Sequence, residues 1–168
     1  MNDVVREKRN ASYTDKTRAF YRAFHQYMPP EGTKASLSED VIPEDRLHLK
    51  MALIAEEFAE LVDAVYGEDS GQEIRSAYKK AQKKDDYTRD IVEAADATAD
   101  LRFVLDGFDI ETAIPTEKVF EEVFQSNMTK LDSDGQPILS DGKTAPLGKI
   151  LKSDNYVPPR VKDILNNN

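Results

Sequence analysis

The stretch Leu47–Tyr66, LHLKMALIAEEFAELVDAVY, constrains the chain more than any other. It contains no proline or glycine, its apolar residues recur at helical spacing, and Gly67 follows it. It therefore predicts one long amphipathic helix. On a wheel of about 100° per residue with Glu56 at zero, Met51, Ile54, Phe58, Leu61, Val62 and Val65 fill the arc from about 140° to 240°, the expected core stripe. Glu57, Glu60 and Asp63 share the opposite arc with Glu56. Leu49, Leu53 and Ala64 fall among those acids, although an exposed face has no need of leucines. Carboxylates one turn apart repel weakly, and drying them costs more unless a cation compensates. Two readings follow: a divalent-metal site in a bundle interior, or a solvated acidic face that carries two leucines.

The same pattern recurs once. Residues from about Thr88 to Phe108 predict a second long helix, with Gly107 near its end. Glu93, Asp96 and Asp100 cluster on one side of it, beside Ala97, Phe103 and Val104, while Arg102 points the other way. Packed antiparallel, the two helices would gather about six carboxylates around one cavity.

Shorter elements surround this pair. Thr14 or Asp15 can cap a first helix reaching Met28, with Phe20, Phe24 and Tyr27 as its stripe and Pro29-Pro30 as its stop. Residues 31–45 form a long loop. Glu73–Lys84 predicts a polar helix carrying Lys79, Lys80, Lys83 and Lys84, either a solvated basic face or a flap that meets phosphate. Pro115-Thr116 opens a helix to Met128 cored by Val119, Phe120, Val123 and Phe124. Two Asp-Gly pairs after Leu131 suggest a small β-hairpin or an irregular tail, followed by a last short helix over 160–165. The expected fold is all-α, a bundle of four to five helices. Residues 1–13 read as a flexible arm, 14–130 as the helical domain and 131–168 as a tail packed on it.

Composition narrows the function. The 168 residues carry a formal charge of −9, which disfavours a nucleic-acid polymer as partner, since coating phosphates needs a basic surface. No apolar run is long enough for a membrane span or a signal-peptide core, so the expected location is the cytoplasm. With no cysteine there is no thiolate site. His25 and His48 read as isolated, which argues against zinc. A di-iron bundle needs Glu-x-x-His pairs, which are missing, and the aspartates at 132–141 lack the spacing of a calcium loop. Oxygen-only ligands select hard cations, Mg²⁺ with Mn²⁺ as substitute, and such a site suits phosphate chemistry by a metal-activated water.

Glu56-Glu57-x-x-Glu60, followed by Glu93-x-x-Asp96, resembles the EExxE…ExxD signature of the all-α nucleoside triphosphate pyrophosphohydrolases. That superfamily holds the MazG-like enzymes, the dimeric dUTPases and the phosphoribosyl-ATP pyrophosphohydrolases. The additional Asp100, the run Ser126-Asn-Met-Thr-Lys-Leu and the later Asn155-Tyr-Val-Pro-Pro look like the phosphoribosyl-ATP pyrophosphohydrolase-like branch. The resemblance spans roughly Thr17 to Leu165. It implies Mg²⁺-dependent hydrolysis of a nucleoside triphosphate, a dNTP for preference, to the monophosphate and pyrophosphate. Glu56, Glu57, Glu60, Glu93 and Asp96 would then be catalytic and metal-binding, with Asp100 a further metal ligand and one glutamate the general base. Asn127, Lys130 and Tyr156 would contact substrate. A homodimer or homotetramer with active sites near subunit contacts is also implied. One departure is the long, lysine-rich stretch between Glu60 and Glu93, a lid or a mere spacer. Two other readings stand beside this one: a non-catalytic nucleotide- or partner-binding protein of the same fold, and an acidic scaffold without metal.

Overall fold

A computed structural model describes residues 11–167. Among the described residues there are six helices: α1 (Tyr13–Ala23), α2 (Glu44–Tyr66), α3 (Ser70–Gln82), α4 (Ile91–Glu111), α5 (Thr116–Met128) and α6 (Val161–Asn166). The protein is all-α, as expected. Residues 1–10 of the expected N-terminal arm lie outside the described residues. The chain divides into two compact units. One comprises the described part of Met1–Met28 with Asp96–Leu139 and Ile150–Asn168; the other comprises Pro29–Ala95 and Ser140–Lys149.

The second unit is built on the α2–α3 hairpin. Gly67 closes α2 at φ 107°, a backbone conformation that residues with a Cβ avoid. Asp63, one turn earlier, ties the two helices together. Its Oδ1 accepts the Gly71 N–H at 2.7 Å and its Oδ2 accepts from Arg75 Nη2 at 2.8 Å. Those bonds hold the Asp63 carboxyl below its usual range. Asp63 therefore serves the hairpin, although it shares a wheel arc with Glu56. Gly71 is buried, and a Cβ there would clash with the Ala59 carbonyl oxygen and with the Asp63 carboxylate. Gly71→Ala is expected to destabilise the protein by about 2 kcal/mol through this overpacking, measured as a lowered denaturant midpoint at unchanged slope.

In the first unit, α1 begins two to three residues before the sequence suggests. Ser12, not Thr14 or Asp15, is the cap: it accepts the Asp15 N–H at 3.1 Å, and Asp15 accepts the Ser12 N–H in return. This is the reciprocal capping box, with Asp15 at its third helical position. The helix also ends early, at Ala23, because His25 takes a left-handed φ of 50° well before Pro29. Phe24, fully buried, stacks on Phe20 with ring centroids 4.1 Å apart, and Tyr13 meets Phe120 of α5 at 4.4 Å. Helix α4 runs through Gly107 to Glu111, past the expected end. A glycine inside a helix weakens it without breaking it.

Between α5 and α6 the chain is irregular. Asp132 Oδ1 accepts from the Asp134 and Gln136 N–H groups, so the aspartates here form turns. The expected hairpin is reduced to one antiparallel bridge between Leu139 and Ile150, and among the described residues no strand forms. Ser126 Oγ donates to the Val157 carbonyl at 2.7 Å, and the Val157 N–H donates to Thr129 Oγ1 at 2.8 Å, which seats the tail on the end of α5.

Burial corrects one expectation. The predicted core stripe of α2 is largely exposed among the described residues: Met51, Ile54, Phe58 and Val65 are each 45–51 % exposed. On the acidic arc, Leu49 is buried and Leu53 half-buried, whereas Ala64 is exposed. No residue of α4 is buried, and Val92, Phe103 and Ile110 are more than 70 % exposed. The helical period is there, but among the described residues this face stays largely exposed.

Candidate functional site

Helix α2 places Glu56, Glu57 and Glu60 within one turn of each other. Glu57 and Glu60 are exposed. Glu56 is half-buried and engaged: Lys149 Nζ lies 2.7 Å from Oε1 and 2.6 Å from Oε2. Glu93 stands, exposed, in the first turn of α4, where Asp90 Oδ1 accepts the Val92 and Glu93 N–H groups and so caps the helix. Asp96 and Asp100 follow on α4, also exposed. Arg102 donates to the Thr98 carbonyl at 2.9 Å and so is turned back along its own helix.

The residues expected to touch substrate lie in the unit that also holds Asp96 and Asp100. Asn127 is half-buried in the last turn of α5. Lys130 Nζ sits 5.9 Å from the centre of the Tyr156 ring. Lys152 Nζ sits 4.6 Å from the same ring, a closer cation–π contact that the sequence reading passed over. The structure thus brings Lys130 and Tyr156 together and adds Lys152. A lysine three to four residues from a tail tyrosine is a weak signal by itself, since lysine is a frequent surface residue.

Histidine 48 is not isolated, contrary to expectation. Its Nε2 lies 3.2 Å from Glu44 Oε1 and 3.8 Å from Asp85 Oδ2. Among the described residues, Glu44, His48 and Asp85 offer ligand atoms within 4.8 Å of one another, a spacing compatible with a divalent cation. Glu44 was legible as the residue one turn before His48; Asp85 was not, because it arrives from the loop after α3. Arg89 already grips both Asp85 oxygens, Nη1 to Oδ1 at 2.7 Å and Nη2 to Oδ2 at 2.8 Å. The group is therefore an ion network, and a cation would have to displace that guanidinium to use Asp85.

The Arg89 bonds and the Tyr87 N–H pull the Asp85 carboxyl down from 3.8 to about 2. A depressed folded-state value stabilises the protein above the unfolded value, and that contribution fades as pH falls from about 4 towards 2. Acid denaturation of Asp85→Asn is accordingly expected to be shallower than wild type in that window, followed by circular dichroism; identical pH profiles would show that the bridge does not contribute.

A groove of about 360 Å³ opens between α5 and α6, lined by Lys118, Glu122, Arg160, Asp163, Ile164 and Asn167. It holds none of the residues named from the sequence. Its mixed charges are partly spent on each other, since the Arg160 guanidinium Nε lies 3.4 Å from Glu122 Oε1.

An all-α protein with acids at Glu-Glu-x-x-Glu spacing on one long helix and Glu-x-x-Asp on another falls in the class of the all-α nucleoside triphosphate pyrophosphohydrolases. The sequence pattern that defines the phosphoribosyl-ATP pyrophosphohydrolase family matches residues 17–127, more than half of the chain, and the chain belongs to that family. The matched region contains Glu56, Glu57 and Glu60 of α2 and Glu93, Asp96 and Asp100 of α4. A solved structure is similar over nearly the whole chain: a "putative NTP pyrophosphohydrolase" from Exiguobacterium sp. 255-15, at 25% identity and a TM-score of 0.62, covering 94% of this chain and 95% of that one. A search of curated proteins found no match.

Proposed function

We propose that this protein hydrolyses a nucleoside triphosphate, a dNTP for preference, to the monophosphate and pyrophosphate, and that it requires Mg²⁺, with Mn²⁺ as a substitute. The observation that carries this reading is the family match over the very helices that bear the spaced carboxylates. The donor set fits a hard dication: oxygen ligands only, with Glu57, Glu60, Glu93, Asp96 and Asp100 exposed. When bound, the cation would neutralise polyphosphate charge and acidify water. Glu56, Glu57, Glu60, Glu93 and Asp96 would hold it, with Asp100 beside them. One of the glutamates takes the proton of the attacking water; attack on phosphorus breaks the anhydride between the α and β phosphates, and pyrophosphate leaves. Lys130 and Lys152 supply positive charge for phosphate, and Tyr156 offers a face on which a base can stack.

The working form in this reading is a homodimer or homotetramer, with the apolar residues of α2 and α4 as the contact surface. The chain would act in the cytoplasm; among the described residues no helix is long and apolar enough to cross a membrane. A panel of nucleoside triphosphates, each assayed for pyrophosphate release with and without Mg²⁺, tests the proposal and reads out the base preference. Turnover of none of them would remove it. The grip of Lys149 on Glu56 favours one second reading, a member that binds nucleotide without turnover. Calorimetric binding of a non-hydrolysable analogue alongside an inactive assay would select it.

A further inference from the structure

Lys149 ends a loop that is built rather than loose. Its carbonyl accepts the Ser140 N–H at 2.9 Å, its N–H donates to the Pro146 carbonyl at 3.0 Å, and the neighbouring Gly148 N–H donates to the Ser140 carbonyl at 3.0 Å. The backbone is thus held on both sides while the side chain reaches α2. There the ammonium sits on both oxygens of Glu56, which is 93 residues away in sequence, with the side chains only 26% and 35% exposed. A divalent cation using the Glu56 carboxylate would need the same oxygens. It would also meet the ammonium at a distance where two like charges repel strongly.

We propose that Lys149 is a positioning residue that serves as the internal counter-ion of Glu56 and must leave this carboxylate when the divalent cation loads, so that lysine and metal compete for one ligand. The proposal rests on the metal-dependent reading above. It explains why a carboxylate can be kept half-buried and oriented before any cation arrives: the lysine bears the cost of its desolvation. Because the loop is pinned, the displaced ammonium stays near the mouth of the site.

The experiment is calorimetric titration of Mn²⁺ into wild type, Lys149→Met, Lys149→Gln and Lys149→Arg, with the melting temperature of each metal-free protein measured alongside. Removing the competitor is expected to tighten Mn²⁺ binding by about fivefold in the Met and Gln variants, the scale of a partly exposed ion pair, while lowering their metal-free melting temperature. The Arg variant should stay close to wild type. A purely structural lysine would lower the melting temperature and leave the Mn²⁺ affinity unchanged, and that result overturns the proposal. Weaker Mn²⁺ binding in the Met and Gln variants overturns it as well, since it would make Lys149 a helper of the metal. Should Lys149→Met fail to fold, the polar Gln variant decides the question. Failure of the underlying reading looks different: neither wild type nor any variant takes up the cation, and the proposal falls with it.

Discussion

Glu57→Ala, and separately Asp96→Ala, is expected to cut pyrophosphate release by at least about a hundredfold, because even outer-shell partners of metal ligands are worth about 10- to 100-fold. Both variants should remain folded. Glu57 and Asp96 are exposed on long helices, where substitutions away from caps and buried bonds usually shift stability by less than about 0.5 kcal/mol. Alanine is also the better helix former, and each change removes one negative charge from an acidic protein. Activity lost from a chain that melts at or above the wild-type temperature would separate a chemical role from a structural one. Full turnover in either variant would take that carboxylate out of the machinery. Metal-dependent stabilisation gives a second readout, since a cation that binds only the folded state must raise its melting temperature.

Charge placed on α4 is expected to dissociate the proposed homo-oligomer. Phe103 and Ile110 lie seven residues apart, about two helical turns, and are 79% and 78% exposed; Val104 beside them is 60% exposed. Soluble monomers rarely leave so much contiguous apolar surface in water. Wild type is therefore expected to sediment as a dimer or tetramer of the 19.0 kDa chain. Phe103→Glu loses the burial of an aromatic ring and forces a carboxylate into the contact, together worth about 4 kcal/mol, or roughly a thousandfold in dissociation constant. Multi-angle light scattering across a dilution series measures this. A wild-type protein that is monomeric at every concentration would show that α4 has no such role. If the variant dissociates and also loses turnover, the site depends on the contact; if it dissociates and keeps turnover, each copy is complete.

The sequence and the structure agree best where the governing physics is local. The helix from Thr116 to Met128 and the run of α2 up to Gly67 follow from proline, glycine and a 3.6-residue period, all of which act within a turn or two. The end of α1 was misread because Pro29-Pro30 is a conspicuous stop, whereas the left-handed turn at His25 leaves no such mark. The stripe of Met51, Ile54, Phe58 and Val65 has the expected period, yet these residues are about half exposed rather than forming a core. Periodicity says that a face is apolar; it does not say which surface covers it.

The acidic residues show the same division. That Glu56, Glu57 and Glu60 share a turn of one helix, and that Glu93, Asp96 and Asp100 line one side of another over two turns, is settled by spacing alone, because an α-helix fixes the direction of each side chain relative to its neighbours. What each acid does there is not local. Asp63 shares the wheel arc of Glu56 but is taken by Gly71 and Arg75 of the next helix; Glu44 and His48 find Asp85 across a loop; Glu56 receives an ammonium from a lysine 93 positions later. Those pairings depend on how separate segments are packed together. They come from burial and electrostatics acting on the folded chain, and no spacing rule along the backbone encodes them.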